Sequence, residues 1–94
     1  QSNVEGEIVN FLQAADCSDS CKGIILNAAA YSHTSIAIAD AIKAISKPVI
    51  LVHISNVYSR EVERRTDLLV ASAKGMISGS GLVGYELALR SLLM

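Results

Sequence analysis

Apolar positions follow a helical period in some segments of the chain and form short continuous runs in others. The first segment repeats apolar residues every three or four positions, which predicts an amphipathic helix: Val4, Ile8, Phe11, Leu12 and Ala15. Ser2 and Glu5 form an S-x-x-E pattern beside it, and this pattern predicts a capping box at the start of that helix.

Three short apolar runs, each opened by glycine or proline, are typical of buried strands. They are KGIILN (22–27), KPVILV (47–52) and KGMISG (74–79), and they alternate with two helical segments, IAIADAIKAI (36–45) and GLVGYELALRSLLM (81–94). The polar segment SREVERRTD (59–67) fits a helical turn or a loop. Strands that alternate with helices predict an α/β fold, a single domain over residues 1–94, in which right-handed crossovers join parallel strands.

Each predicted strand ends in polar or glycine-rich chemistry. Asn27 follows the first strand, His53, Ser55 and Asn56 follow the second, and the segment GSG (79–81) follows the third. The carboxyl ends of parallel strands lie at one edge of the sheet, where ligands bind in open α/β folds. The pattern therefore predicts a small-molecule pocket at that edge, although helix caps and turns alone use the same residue types.

Composition narrows the class of protein. With 94 residues, 51% of them hydrophobic and 18% charged, the chain has the content of one small folded domain and not of a disordered segment. No apolar stretch approaches the length of a membrane span, and QSNVEGE has neither the basic nor the apolar region of a signal peptide, so we expect a cytoplasmic protein outside the membrane. A net charge of −1 gives no electrostatic reason to expect nucleic acid.

A cysteine pair suggests a metal or redox site and a glycine-rich motif suggests dinucleotide binding, but the sequence around each favours a structural role. Cys17 and Cys21 stand four positions apart, a spacing that fits neither a zinc knuckle nor a redox motif, so we expect free thiols and no metal site. GSGLVG (79–84) matches the G-x-G-x-x-G of dinucleotide sites, but that fingerprint normally opens a βαβ unit and here lies in the last strand–helix unit. We interpret these glycines as a tight turn into a helix packed on the sheet, with dinucleotide binding as the alternative.

Longer segments resemble type II 3-dehydroquinate dehydratase: FLQAADCSDSCKGIILNAAAYSHTSIAIADAI, KPVILVHISNVYSREVERR and AKGMISGSGLVGYELAL. HTSIAIADAI and VHISNVYSRE are specific, because they hold polar residues at fixed places inside apolar elements. The resemblance implies a flavodoxin-like, three-layer α/β/α fold with a parallel sheet, of which this chain carries the last three strands. It also implies a shikimate-pathway lyase without cofactor or metal, which dehydrates 3-dehydroquinate to 3-dehydroshikimate by anti elimination through an enolate.

The same resemblance implies the acid and the carboxylate site. His53 matches the histidine that protonates the departing hydroxyl, a role that suits an imidazole because this group exchanges protons near neutral pH. Ile54 and Ser55 match the position that holds the substrate carboxylate through backbone N–H groups and the serine hydroxyl.

Further matches concern the hydroxyl groups of the substrate and the assembly. Asn27, His33 and Arg64 match residues that contact these hydroxyls. Asp40 matches an acidic residue that the family brings to the site of a neighbouring subunit. The resemblance therefore implies a homo-oligomer, a dodecamer built from trimers.

Two substitutions depart from the family pattern close to the site. NAA (27–29) stands where many members have NPG, which alters a turn. Leu51, two residues before His53 and on the same side of the strand, stands where the family usually has a glutamate. We therefore expect the imidazole to lack a carboxylate partner and to be a weaker acid.

A third departure concerns the base. The family has an N-terminal segment with its first two strands, a mobile lid and the tyrosine that acts as base, and this sequence has no counterpart of it. None of Tyr31, Tyr58 and Tyr85 matches that tyrosine. The chain thus resembles a truncated form whose first strand has an unpaired edge. Two functions stay open: the dehydratase, and an inactive homologue that acts as a binding or assembly module.

Overall fold

A computed structural model describes all residues, 1–94, and contains one parallel sheet of three strands. The strands are β1 (Ile24–Leu26), β2 (Val49–His53) and β3 (Gly75–Ser78), in the spatial order β1-β2-β3. Leu51 of β2 is paired with Leu26 of β1 and with Met76 of β3. The three strands and their parallel direction confirm the prediction from the apolar runs.

Three helices accompany the strands: α1 (Glu5–Asp16), α2 (Ile36–Ala44) and α3 (Val83–Leu93). Short 3₁₀ turns occupy parts of the connections: Ala29–His33, Val57–Ser59, Val62–Arg65 and Val70–Ser72. The polar segment 59–67 therefore belongs to a long irregular connection between β2 and β3. No helix has both the length and the apolar character that crossing a bilayer requires.

Strand β2 is buried on both faces and separates two apolar layers. Val49 and Leu51 pack in the cluster that α1 and α2 cover, whereas Ile50 and Val52 pack with Ala88 of α3. Burying one such side chain contributes about 1.5–3 kcal/mol, so β2 needs apolar residues on both sides and shows no polar alternation. Helices on both faces give the predicted three-layer α/β/α arrangement.

Strand β1 pairs only with β2, so its outer edge has no strand partner. An apolar groove of 430 Å³ lies beside this edge and is lined in part by Phe11, Leu12 and Ile25. Phe11 is 51% exposed in spite of its size. The unpaired edge and the bare apolar surface were both predicted from the sequence.

The start of α1 differs from the prediction. The Oγ of Ser2 accepts a hydrogen bond from the Val4 N–H (3.0 Å) and donates one to Glu7 (2.6 Å). Val4 is the N-cap, so Glu5 is the first helical residue and Glu7 the third, which is the position from which a capping box closes. The predicted partnership of Ser2 with Glu5 is therefore wrong.

Two glycines shape the passage from β3 into α3, Gly79 in the turn and Gly84 inside the helix. Gly79 has φ +88°, and a Cβ at this position would lie 3.2 Å from the Cβ of Asn56. A Cβ at Gly84 would lie 3.2 Å from Cγ1 of Val52, because α3 packs closely on β2 there. This geometry confirms the interpretation of GSGLVG as a tight turn into a helix packed on the sheet.

Candidate active site

The carboxyl ends of the strands enclose one side of a cavity of 290 Å³. Its lining is mostly polar and consists of Asn27, Ala29, His33, His53, Ile54, Ser55, Val57, Arg60 and Arg64. Six of the seven predicted site residues therefore meet in one place, although they come from different connections of the fold. The seventh, Asp40, lies exposed on α2 and does not line this cavity.

A histidine–carboxylate pair is buried at this cavity. The Nε2 of His53 lies 3.1 Å from Oδ2 of Asp67, and the two side chains are 5% and 2% exposed. Oδ1 of Asp67 accepts hydrogen bonds from the N–H groups of Leu69 (2.8 Å) and Val70 (3.0 Å). Burial is the largest single influence on the pKa of Asp67 and raises it, but the His53 hydrogen bond and the two N–H groups together outweigh burial and lower that pKa.

The pair corrects the expectation drawn from Leu51. Leu51 is 1% exposed and belongs to the apolar cluster beneath the site, together with Leu69. The imidazole of His53 nevertheless has a carboxylate partner, because the irregular connection after β2 brings Asp67 to it. The predicted loss of a carboxylate at His53 is therefore wrong. Sequence reasoning missed Asp67, and its one signal is an acidic residue two positions before a buried leucine, the spacing of an Asx turn.

His33 lies beside His53. Their ring centroids are 6.1 Å apart and the ring planes differ by 21°, so the imidazoles stack. The Nδ1 of His33 is 2.6 Å from the carbonyl oxygen of Thr66 and therefore donates to it, while the buried Nε2 has no partner in the chain. His33 thus lines the cavity, while its unused Nε2 acceptor is itself buried.

The segment after β2 offers oriented donors. Neither the N–H of Ile54 nor that of Ser55 donates a hydrogen bond within the chain. The segment is held on the β3–α3 turn, since the carbonyl of Ile54 accepts from the Gly81 N–H (3.0 Å) and that of Ser55 from the Ser78 hydroxyl (3.1 Å). Two free backbone N–H groups in a fixed loop beside a serine hydroxyl suit a carboxylate.

Two arginines, Arg60 and Arg64, line the cavity and approach the same acid. The Nε of Arg64 lies 3.2 Å and that of Arg60 3.6 Å from the carboxylate of Glu61. Desolvation acts to raise the pKa of Glu61, but its own backbone N–H and the two guanidinium groups prevail and lower that pKa. Both guanidinium groups retain further N–H donors for a ligand, because a guanidinium has five donors and these two arginines make one hydrogen bond between them, from Arg64 Nε to Glu61. Arg60 was not among the predicted site residues.

The turn after β1 fixes Asn27. Its Nδ2 donates to the hydroxyl of Tyr85 on α3 (2.9 Å), and its Oδ1 accepts from the Ala29 N–H (3.0 Å). Ala29 has φ 52° and is the one non-glycine residue of the chain in the left-handed region. This is the NAA segment, and a Cβ in the left-handed region strains its turn. The difference from the family's NPG turn stays a prediction.

The arrangement can hold an anionic, hydroxylated small molecule and pass a proton to it. No group of three His, Cys, Asp or Glu side chains is arranged to hold a metal ion. No tyrosine lines the cavity. The groups present are hydrogen-bond donors, two guanidinium cations, and an imidazole paired with a carboxylate. The donors and cations can bind an anion, and the imidazole can act as a general acid.

Comparisons with known proteins point in the same direction. Residues 1–93 match the family model of class II dehydroquinase. The chain is 50% identical over 93 residues to the 3-dehydroquinate dehydratase of Aliarcobacter butzleri and 56% identical over 88 residues to that of Fusobacterium nucleatum. These alignments cover 99% and 94% of this chain but 56% and 59% of the relatives, so the chain spans a little over half of their length.

Solved structures agree with the sequence relatives. A type II dehydroquinase from Butyrivibrio crossotus superposes with a TM-score of 0.96 at 41% identity, over all of this chain and 65% of that protein. One from Propionibacterium acnes gives a TM-score of 0.87 at 42% identity. With nearly every residue matched by the family model and the same fold in solved members, the chain belongs to the class II dehydroquinase family.

Proposed function

We propose that this chain carries the acid and the substrate-binding groups of a 3-dehydroquinate dehydratase, a lyase of the shikimate pathway. The observation that carries the proposal is buried His53, which lines the strand-end cavity and is paired with Asp67 at 3.1 Å. The substrate follows from the family and from the names of the relatives. Because the chain spans a little over half of their length, the activity is proposed for the protein that contains these residues.

The reaction needs an acid and a base on different atoms of the substrate. A base takes the proton next to the ketone to give an enolate, and the electrons then form the C=C bond as the C–O bond breaks. His53 gives its proton to the departing oxygen, and water leaves. Tyr31, Tyr58 and Tyr85 do not line the cavity, and the Tyr31 hydroxyl donates to the carbonyl of Asn3 (2.8 Å). We therefore assign the base to a group other than these tyrosines.

Binding is assigned to the donors around the cavity. The free N–H groups of Ile54 and Ser55 and the serine hydroxyl hold the substrate carboxylate. Arg64 contacts one hydroxyl group, and Asn27 and His33 contact others. Support comes from the fixed positions of these side chains, because Asn27 is bound to Tyr85 and His33 to the Thr66 carbonyl.

Asp40 belongs to the assembly part of the proposal. It lies exposed on α2 one turn after Ile36, which is 67% exposed, so the two share an outward face that combines an acid with bare apolar surface. We propose that this face contacts a neighbouring subunit in a trimer-based dodecamer and brings Asp40 to that subunit's site. A cytoplasmic location is part of the same proposal and follows from the shikimate-pathway function.

The test is dehydration of 3-dehydroquinate by the protein expressed from its complete gene, followed by the ultraviolet absorbance of the conjugated enone. His53→Ala should lower kcat by on the order of 10²–10⁴-fold, the usual contribution of a general acid. Tyr58→Phe, a change outside the cavity, should leave the rate unaltered. Equal rates for His53→Ala and wild type, or no enone from folded wild type, would refute the proposed function.

A further inference from the structure

We propose that Asp67 is the positioning residue of the acid, which holds the His53 ring in the Nε2–H tautomer and leaves Nδ1 to exchange the proton with the substrate. The inference rests on the proposed function for its catalytic meaning. Asp67 does not line the cavity, and it lies in the connection between β2 and β3, which contains neither a strand nor an α-helix. The basis of the inference is that one oxygen of the buried Asp67 carboxylate binds the backbone and the other faces His53.

The two oxygens of Asp67 are used separately. Oδ1 accepts from the N–H groups of Leu69 and Val70, and Oδ2 is left to face Nε2 of His53. Because the side chain is 2% exposed, water does not compete for Oδ2. A carboxylate bound at one oxygen by two backbone N–H groups has no rotational freedom at the other, so its direction toward His53 is set by the turn.

The backbone around Asp67 is fixed from the opposite side. The carbonyl of Thr66 accepts from Nδ1 of His33 (2.6 Å), and the Leu68 N–H donates to the carbonyl of Ser32 (2.7 Å). The residues on both sides of Asp67 are therefore bound to the 3₁₀ turn that also carries His33. The carboxylate is thus held in place before any ligand arrives, as a positioning group requires.

This arrangement selects a tautomer. A carboxylate can only accept, so Nε2 of His53 carries a hydrogen in the neutral ring as well as in the charged ring. Nε2 makes the only hydrogen bond of this ring within the chain. Nδ1 has no partner, is not fully buried, and belongs to a ring that lines the cavity. When Nδ1 gives its proton to a leaving oxygen, the ring becomes the Nε2–H form that Asp67 already binds. No rearrangement accompanies the transfer.

The second histidine of the chain serves as an internal reference. His33 donates from Nδ1 to the Thr66 carbonyl, so its neutral form is the Nδ1–H tautomer, opposite to that of His53. The 94-residue chain contains two histidines, so a nitrogen NMR spectrum of its imidazoles shows two ring systems. The geometry predicts one of each tautomer.

The decisive variant is Asp67→Asn. The asparagine oxygen replaces Oδ1 as acceptor for the Leu69 and Val70 N–H groups, which places its NH₂ group against Nε2 of His53. A donor at that position forces Nε2 to accept, and the neutral ring then changes to the Nδ1–H tautomer. Asp16→Asn is the matched control, because Asp16 also accepts backbone N–H bonds, from Ser46 and Lys47, and contacts no histidine.

The measurement is long-range ¹H–¹⁵N correlation NMR at a pH of about 9, where an imidazole is ordinarily neutral, together with the enone assay. Wild type and Asp16→Asn should show one Nε2–H and one Nδ1–H ring, and Asp67→Asn should show two Nδ1–H rings. Asp67→Asn should also lower kcat by on the order of 10²-fold or more, with KM changed less than about threefold. If Asp67→Asn does not fold, Asp67→Ser keeps an oxygen for the turn, and its His53 should lose the exclusive Nε2–H form.

Two results would overturn the inference. An Nε2–H ring at His53 in Asp67→Asn would show that something else sets the tautomer. If Asp67→Asn keeps the wild-type kcat and is only less stable, which is the behaviour expected of Asp16→Asn, then Asp67 acts only as a structural residue of the turn. The NMR comparison needs no turnover, so absence of enone from the wild type would count against the proposed function while the tautomers still decide the pairing.

Discussion

Replacing Ala29 by glycine should stabilise the chain, which reverses the usual effect of that substitution. Ala29 has φ 52°, where a Cβ costs an L-residue about 1–2 kcal/mol. The gain is reduced by the larger conformational entropy of glycine in the unfolded chain, about 0.4–1 kcal/mol. The side chain is exposed, so removing its methyl group sacrifices little packing. With the middle of each range, the net increase in the free energy of unfolding is about 0.8 kcal/mol.

Urea unfolding followed by circular dichroism measures this difference, with an unchanged m-value as the sign that only stability has moved. For a chain of this size the melting temperature should rise by about 2–8 °C. Ala30→Gly is the matched control, because Ala30 is the next residue, is also exposed and has no positive φ. It should lose about 0.5–1 kcal/mol. An equal decrease in the free energy of unfolding in Ala29→Gly and Ala30→Gly would refute the left-handed conformation at Ala29.

Two further predictions concern acid stability and the turn into α3. Because the pKa of Asp67 is lower in the folded chain than its ordinary 3.8, its stabilising contribution is complete above that value and is lost as the pH falls below it. Urea midpoints should therefore fall more steeply in wild type than in Asp67→Asn as the pH is lowered from about 4 to about 2, and parallel curves would contradict the pairing. Gly79→Ala should lower the free energy of unfolding by about 1–2 kcal/mol, because φ is +88° and the Cβ of Asn56 lies 3.2 Å from the new Cβ. Gly6→Ala in α1 has free space around the new Cβ and should raise the free energy of unfolding by up to about 1 kcal/mol. Thermal melts compare the two glycine variants. A decrease in melting temperature as large for Gly6→Ala as for Gly79→Ala would show that the turn does not require glycine at position 79.

The fold could be predicted because its signals are local and repeated. The run from Val49 to Val52 has no polar position, and only a strand covered on both faces explains this in so short a segment. Parallel pairing then places the ends of β1, β2 and β3 together, so the meeting of Asn27, His53 and Ser55 follows from the topology.

The partner of His53 could not be predicted in this way. Asp67 lies 14 residues after His53, in a connection of 3₁₀ turns that has no hydrophobic period from which to infer direction. Its position depends on hydrogen bonds to the Ser32 and His33 region, a contact between segments that are distant in sequence. The substitution at Leu51 therefore suggested a missing carboxylate, when the carboxylate comes from another segment of the chain.

The helix start shows the same limit on a smaller scale. The S-x-x-E pattern is real, but it predicts a cap only if the helix begins directly after the serine. Here α1 begins two residues later, and the carboxylate that reaches Ser2 is that of Glu7. A motif of two residues does not determine where the first turn forms, and here the N-cap is Val4 and not Ser2.

We expect the strand-end cavity to bind the substrate beside His53. The test is to titrate the ¹⁵N-labelled 94-residue chain with 3-dehydroquinate and to follow the backbone amides and imidazole nitrogens by NMR. Saturable shifts are expected at the amides of Ile54 and Ser55 and at Nδ1 of His53, with weaker binding in Arg64→Ala. Shifts confined to the groove beside β1, or no shift at any of these groups at saturating ligand, would contradict this expectation.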